Sequence, residues 1–406
     1  MKFEKKLRLR LRRYINRRYL IYGLSIVLSR GFELAVMFFA AKYLAKALYG
    51  QLEYYKKVLE LGGVFLSFGF PALIMTYTRS KSSKVYMLLY ASLFVGLLSL
   101  ALLPILYVLR WQTLWPAFLF YALFFTGGIF QLYVLVKAGS DRAAMYKAGV
   151  SALFYTGVLL YVLFAPHPQY AFVYTARLLM IPGLALLFYE WSRYGIRFHE
   201  FIRYARLFFR LTFAAFTLLL SNFTNLMFLY TDIFIIKLLS RNPMPEIADY
   251  SFALNAANVL MLIPLSLVQT DIEKIKRRLP YARQLHGKIR VLVGAAIPVL
   301  ILLYILLTRK FFPRYAHTLV IFLIILAAKY FQAQGVLFGT TILVLKKFRI
   351  NILINLLMIV FNIVAGYVLY MEAGLPGVAL AGALSLFLRF ILLRYFFNRL
   401  VRYSEG

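Results

Sequence analysis

The chain has 406 residues, is 63% hydrophobic and carries a formal net charge of +33, with 47 Lys and Arg against 14 Asp and Glu and no cysteine. A mean hydropathy of +0.77 with so few acidic groups excludes a soluble globular protein. The lack of cysteine excludes disulfides and thiolate metal sites but leaves the compartment open, since a bilayer-embedded fold needs neither.

A basic arm, residues 1–19, opens the chain with Lys2, Lys5, Lys6, Arg8, Arg10, Arg12, Arg13, Arg17 and Arg18. The apolar run that follows is too long for a signal peptide, contains Arg30 and Glu33 and lacks a small-residue cleavage site, so it reads as a first transmembrane helix. Apolar runs of roughly twenty residues, each long enough to cross about 30 Å of hydrocarbon, then recur to the end of the chain. The predicted spans are 20–44, 53–78, 85–109, 114–137, 144–165, 169–192, 208–239, 246–270, 289–308, 315–343, 350–371 and 375–398, about twelve in all. Backbone groups must be satisfied within each span, and the runs far exceed barrel strands, so the fold is predicted to be all-α.

Basic residues concentrate in alternate gaps: the arm, the sixth gap (Arg193, Arg197, Arg203, Arg206 and Arg210), the eighth gap (Lys274 to Arg290) and the C-terminal end (Arg394, Arg399 and Arg402) with its tail 399–406. The positive-inside rule places those gaps and both termini in the cytoplasm, with the arm on anionic lipid heads. The same rule accounts for the charge without a nucleic-acid partner. No gap exceeds about twenty residues, too few for a separate soluble domain. No phosphate-binding G-x-x-x-x-G-K-[ST] loop or H-E-x-x-H pair is present, so nothing calls for an enzyme, a cofactor or a metal.

The informative residues are charges that the spans could have done without. A charge at a helix centre costs roughly 2.5–3.5 kcal/mol on insertion scales, so such a side chain is expected to face a partner or a cavity. Arg30 and Glu33, three apart on the first helix, can pair or face a cavity. Arg177 in the sixth span and Lys329 in the tenth lie more than six residues from either predicted end and are expected to line an aqueous cavity. Asp232 in the seventh either neutralises one of these cations or fixes its helix beside Asn222 and Asn225, and Arg389 in the twelfth either snorkels or faces the cavity. A cluster of amides, Asn222, Asn225, Asn255, Asn258 and Gln332, supports a polar cavity in the second half. The embedded charge is mainly positive, and Arg offers bidentate geometry for phosphate oxygens, so the expected cargo is anionic.

Lys42-Tyr43-Leu44 followed by Tyr49-Gly50, and Lys237-Leu238-Leu239 followed by Tyr250-Ser251, suggest an internal repeat. It divides the chain into lobes at 20–192 and 208–398, joined by a linker at 193–207.

The stretches F-F-A-A-K-Y-L-A-K-A-L-Y-G-Q-L at 38–52 and S-F-G-F-P-A-L-I at 67–74 resemble the N-terminal signature of polysaccharide flippases of the Wzx type. Y-T-D-I-F-I-I-K-L-L at 230–239, Y-S-F-A-L at 250–254 and G-L-P-G-V-A-L-A-G-A at 374–383 resemble later parts of that family, in which an Asp commonly stands at the place of Asp232. The resemblance implies the multidrug/oligosaccharidyl-lipid/polysaccharide exporter superfamily and two six-helix bundles around a central cavity. It further implies export of an undecaprenyl-pyrophosphate-linked oligosaccharide, such as an O-antigen or capsule unit of the lipopolysaccharide type, across a bacterial inner membrane. Membrane lipids, a glycan polymerase and glycosyltransferases are the partners it suggests. Alternatives within the same reading are a cation-coupled small-molecule exporter, a peptidoglycan lipid-precursor flippase and a non-transporting component of a glycan assembly complex.

Overall fold

The computed structural model describes residues 17–77, 81–194, 198–277, 281–345 and 347–405, which form helices joined by short turns. The first lobe comprises α1 (Arg17–Tyr43), α2 (Lys46–Leu66), α3 (Phe70–Tyr77), α4 (Lys81–Ala101), α5 (Leu103–Val108), α6 (Trp115–Leu123), α7 (Ile129–Ala138), α8 (Ser140–Phe164) and α9 (Ala171–Tyr194). The second comprises α10 (Phe198–Leu239), α11 (Pro243–Asn258), α12 (Leu262–Arg277), α13 (Tyr281–Lys310), α14 (Leu319–Val344), α15 (Phe348–Ala373) and α16 (Leu375–Glu405). Helix pairs α2–α3, α4–α5, α6–α7 and α11–α12 each make one broken pass, so the described residues form twelve passes, six to a lobe, in an all-α membrane fold. An even number of passes puts both ends of the described chain on one side, the terminus face.

Most of the basic arm, residues 1–16, lies outside the described residues, as do residues 278–280 within the eighth gap. The expected linker 193–207 is helical from Phe198 onward, because α10 runs unbroken to Leu239.

Among the described residues, nine passes are long and apolar enough to cross a membrane by length and composition alone. The other three are α1, α2–α3 and α6–α7. Charges interrupt the first two: Arg30, Glu33 and Lys42 in α1, and Glu53, Lys56, Lys57 and Glu60 in α2. The third is broken at residues 124–128, where Gly127 takes a φ of 88°. These same three passes supply most of one wall of the central cavity, so their departure from uniform hydrophobicity locates the site.

Lipid is as apolar as leucine, so the lobes are held by close packing and buried polar contacts rather than by exclusion from water. In the first lobe α1 packs along α8, and α6 against both α2 and α9; in the second, α14, α15 and α16 pack on one another and α15 on α10. The lobes meet mainly where α2 lies on α11 and where α10 crosses α2, α3 and α4. Glycines permit both crossings. A methyl group at Gly50 would overlap the Met244 carbonyl, and Gly69, with a φ of 74°, presses its backbone against the Ala215 carbonyl at the break between α2 and α3. Beside that break, Phe70 stacks on Phe208 with ring centroids 5.0 Å apart. The two halves of the expected repeat thus face each other, with Tyr49 and Gly50 on one helix and Tyr250 and Ser251 on the other all buried.

Candidate functional site: a cationic cavity between the lobes

The lobes enclose a cavity of about 580 Å³. Its lining begins near mid-pass at Glu33, Lys57 and Tyr230 and continues toward the terminus face at Lys147, Leu343 and Asn351.

Toward the opposite face a polar seam closes it. Lys46 Nζ lies 2.8 Å from Asp249 Oδ1, and His317 Nε2 lies 3.0 Å from Asp249 Oδ2, joining α2, α11 and the turn before α14. One turn deeper, the Tyr49 hydroxyl donates to Glu53 Oε1 at 3.0 Å, and the Asn255 amide donates to the same carboxylate from the other lobe. Phe252 stacks on Tyr315 at 4.2 Å beside this network. The Glu53 side chain is fully buried, with its Oε2 atom unpartnered, so the seam holds a carboxylate that opening would hydrate.

Among the described residues lining the cavity, five are cations (Arg30, Lys57, Lys147, Lys329 and Arg389) and two are carboxylates (Glu33 and Glu60). The carboxylates are already engaged. Glu33 accepts from Arg30 Nη1 and from Lys56 Nζ, each at 2.6 Å, and Glu60 accepts from the Tyr230 hydroxyl. Lys56 is almost completely buried behind Glu33, whereas Arg30 is half exposed to the cavity, so the triad fixes Arg30 without using its whole guanidinium. Lys57 Nζ sits over the Tyr230 ring, 4.7 Å from its centroid. Glu33 therefore organises the cations instead of cancelling them, and the remaining field favours an anion.

Arg30 and Glu33 both pair and line the cavity. Lys329 lines it too, with its Nζ donating to Gln332 Oε1 at 2.9 Å. Arg389 does not snorkel to a surface. It turns inward, donating to Asn225 Oδ1 at 2.6 Å with its guanidinium 5.2 Å from the Phe228 ring centroid. Asn222, Asn225, Asn255 and Asn258 line the same space. Asp232 is held within the second lobe by the Tyr250 hydroxyl and by Asn362 Nδ2 at 2.8 Å, away from Asn222 and Asn225. With Lys329 it borders a separate void of about 20 Å³, room for roughly one water.

The expectation that Arg177 lines the cavity is corrected. Its guanidinium donates instead to the Thr113 carbonyl, in the turn between the third and fourth passes. A position well inside a span is ambiguous where α9 starts only at Ala171, because a side chain as long as arginine reaches back to the turn.

Lys56, Lys57, Glu60 and Lys147 were not singled out from the sequence. Hydropathy placed them near predicted span starts, 53 and 144, where charges look like flanks. The usable signal was the spacing of Glu53, Lys56, Lys57 and Glu60, which puts opposite charges three and four apart over two helical turns.

Compared by sequence, the chain matches no family model and none of the curated proteins. By structure it is similar to the lipid II flippase MurJ in an inward closed conformation, with a TM-score of 0.70 at 14% identity over 93% of this chain and 87% of that one. A MATE transporter in the straight conformation gives 0.61 at 12% identity, covering 96% of each chain. An inward-facing multidrug resistance MATE family transporter of the MOP superfamily gives 0.60 at 12% identity, covering 96% of this chain and 98% of that one. The chain therefore shares the two-lobed fold of these solved transporters.

Proposed function

We propose that the protein is a flippase for polyprenyl-pyrophosphate-linked oligosaccharide, moving an undecaprenyl-pyrophosphate-linked glycan unit from the cytoplasmic to the periplasmic leaflet of a bacterial inner membrane by alternating access. The observation that carries this reading is the excess of five cations over two engaged carboxylates in a cavity enclosed by two lobes. Arg30 and Lys147, the more accessible cations of the first-lobe wall, hold the pyrophosphate, with Lys57 behind them. Lys329 and Arg389 face an acidic or polar part of the glycan, and the polyprenyl tail stays in lipid. The Lys46–Asp249–His317 and Glu53–Asn255–Tyr49 contacts close the side opposite the terminus face, which the positive-inside distribution assigns to the periplasm. Rocking of the lobes breaks this seam and carries the cargo across. Cargo bound equally in both states would gain affinity without shifting that equilibrium, so the cations act by differential binding.

A peptidoglycan lipid-precursor flippase is the second reading, favoured by the likeness to the lipid II flippase fold. A small-cation exporter is disfavoured by the sign of the cavity charge. Reconstitution with a labelled polyprenyl-pyrophosphate disaccharide and, separately, with a peptide-bearing lipid precursor decides between the two flippase readings. Movement of neither lipid would reject both.

A further inference from the structure

The two walls of the cavity differ in chemistry. Among the described lining residues, the first lobe contributes charged groups and no side-chain amide, whereas the second contributes a set of amides beside Lys329 and Arg389. Two of these serve the protein itself: Asn255 holds Glu53, and Asn351 donates to Ser221 Oγ at 3.0 Å. Two are half used. Asn225 and Gln332 give their carbonyl oxygens to Arg389 and Lys329, leaving their NH2 groups free to donate. The last two, Asn222 and Asn258, have no hydrogen bond among the described residues, and neither is buried.

Free amides in a water-lined cavity do nothing to hold the bundle together. A phosphate would use only their NH2 donors and leave each amide carbonyl, an acceptor, without a match. A sugar hydroxyl both donates and accepts, and it matches an amide group for group. Phe331 on the same wall and Phe390 on the adjoining α16 line the cavity with aromatic rings suited to the apolar face of a pyranose. Asn222 and Asn225 stand three apart on α10 and project from one face, while Asn258 on α11 and Gln332 on α14 complete the set.

We propose that the amides of the α10–α11–α14 wall form a subsite for the neutral, polyhydroxylated part of the cargo, distinct from the cationic α1–α2–α8 wall that takes its pyrophosphate. This rests on the flippase reading above and adds a division of labour between the lobes. Selectivity for neutral sugar then resides in the amides and lipid-phosphate recognition in Arg30, Lys57 and Lys147, while Lys329 and Arg389 meet acidic groups of the glycan.

The test uses the full-length protein in nanodiscs and three probes: polyprenol, polyprenyl pyrophosphate, and polyprenyl pyrophosphate carrying a neutral disaccharide. Wild type is expected to bind the glycosylated pyrophosphate about tenfold more tightly than the bare one, as two neutral hydrogen-bonding side chains allow. N222A/N258A is expected to bring those two lipids to within about twofold of each other. K147M is expected to weaken both and keep their ratio. The subsite is overturned if wild type does not distinguish the two pyrophosphates, or if the discrimination survives in N222A/N258A. Retained binding of the bare pyrophosphate shows that the double variant folds; if it binds neither lipid, the single variant N222A decides by the same ratio. Failure of the flippase reading looks different, since bare polyprenyl pyrophosphate would then bind wild type no better than polyprenol.

Discussion

Substituting Asp249 by Asn is expected to unlatch the seam opposite the terminus face. The carboxylate on which Lys46 and His317 converge, at 2.8 and 3.0 Å, becomes a neutral amide. The Lys46 side chain is 29% exposed and that of Asp249 11%, so the pair lies between two regimes. Exposed pairs contribute about 0.2–1 kcal/mol, and breaking a buried one costs about 3–5 kcal/mol. An intermediate loss of about 1.5 kcal/mol, felt only by the closed form, lowers its ratio to the open form about tenfold. The Glu53 network persists, so the seam weakens without dissolving. Because the chain has no cysteine, Leu229→Cys on the cavity wall provides a single thiol for a membrane-impermeant maleimide. Labelling from the side opposite the terminus face should accelerate about tenfold when Asp249→Asn is added, with no gain from the terminus face. Unchanged labelling from the opposite face, or equal gains from both, would refute the latch.

Other substitutions probe different parts of the arrangement. Gly50→Val drives a branched side chain into the Met244 carbonyl and should likewise raise labelling of Leu229→Cys from the opposite face, because α2 and α11 can no longer close. Glu33→Gln leaves the buried Lys56 ammonium with a neutral neighbour. It should destabilise the protein by about 3–5 kcal/mol in thermal inactivation, most of it recovered in Glu33→Gln/Lys56→Met; no recovery would mean that Glu33 matters to Arg30 alone. Arg177→Ala should leave glycan export intact while Lys147→Glu abolishes it in protein that still inserts, and the reverse pattern would return Arg177 to the site.

How much was legible in the sequence follows from what each residue's environment depends on. The passes and the all-α fold depend on run length and the solvent properties of hydrocarbon, both visible in the sequence. Arg30, Lys329 and the amides of α10 and α11 were legible because each interrupts an apolar run. Arg177 interrupts one too, yet a guanidinium on a long stem reaches a turn from the second helical turn, and spacing along one helix does not fix which neighbour it meets. Lys57 and Lys147 were hidden for the converse reason. They lie near the start of their apolar runs and gain meaning only once α2 and α8 are placed beside α1. The inward turn of Arg389 depends on Asn225, 164 residues earlier in the chain, a tertiary fact that no local pattern carries.

The most direct measurement is leaflet-to-leaflet transfer of a fluorescent polyprenyl-pyrophosphate disaccharide in sealed proteoliposomes, comparing wild type with Arg30→Gln/Lys147→Gln. Wild type should transfer the pyrophosphate-linked sugar and leave the uncharged polyprenyl analogue where it is, and the double variant should insert equally well but transfer neither. Equal transfer by both proteins, or movement of the uncharged analogue as fast as the charged lipid, would contradict a cationic cavity as the carrier of the cargo.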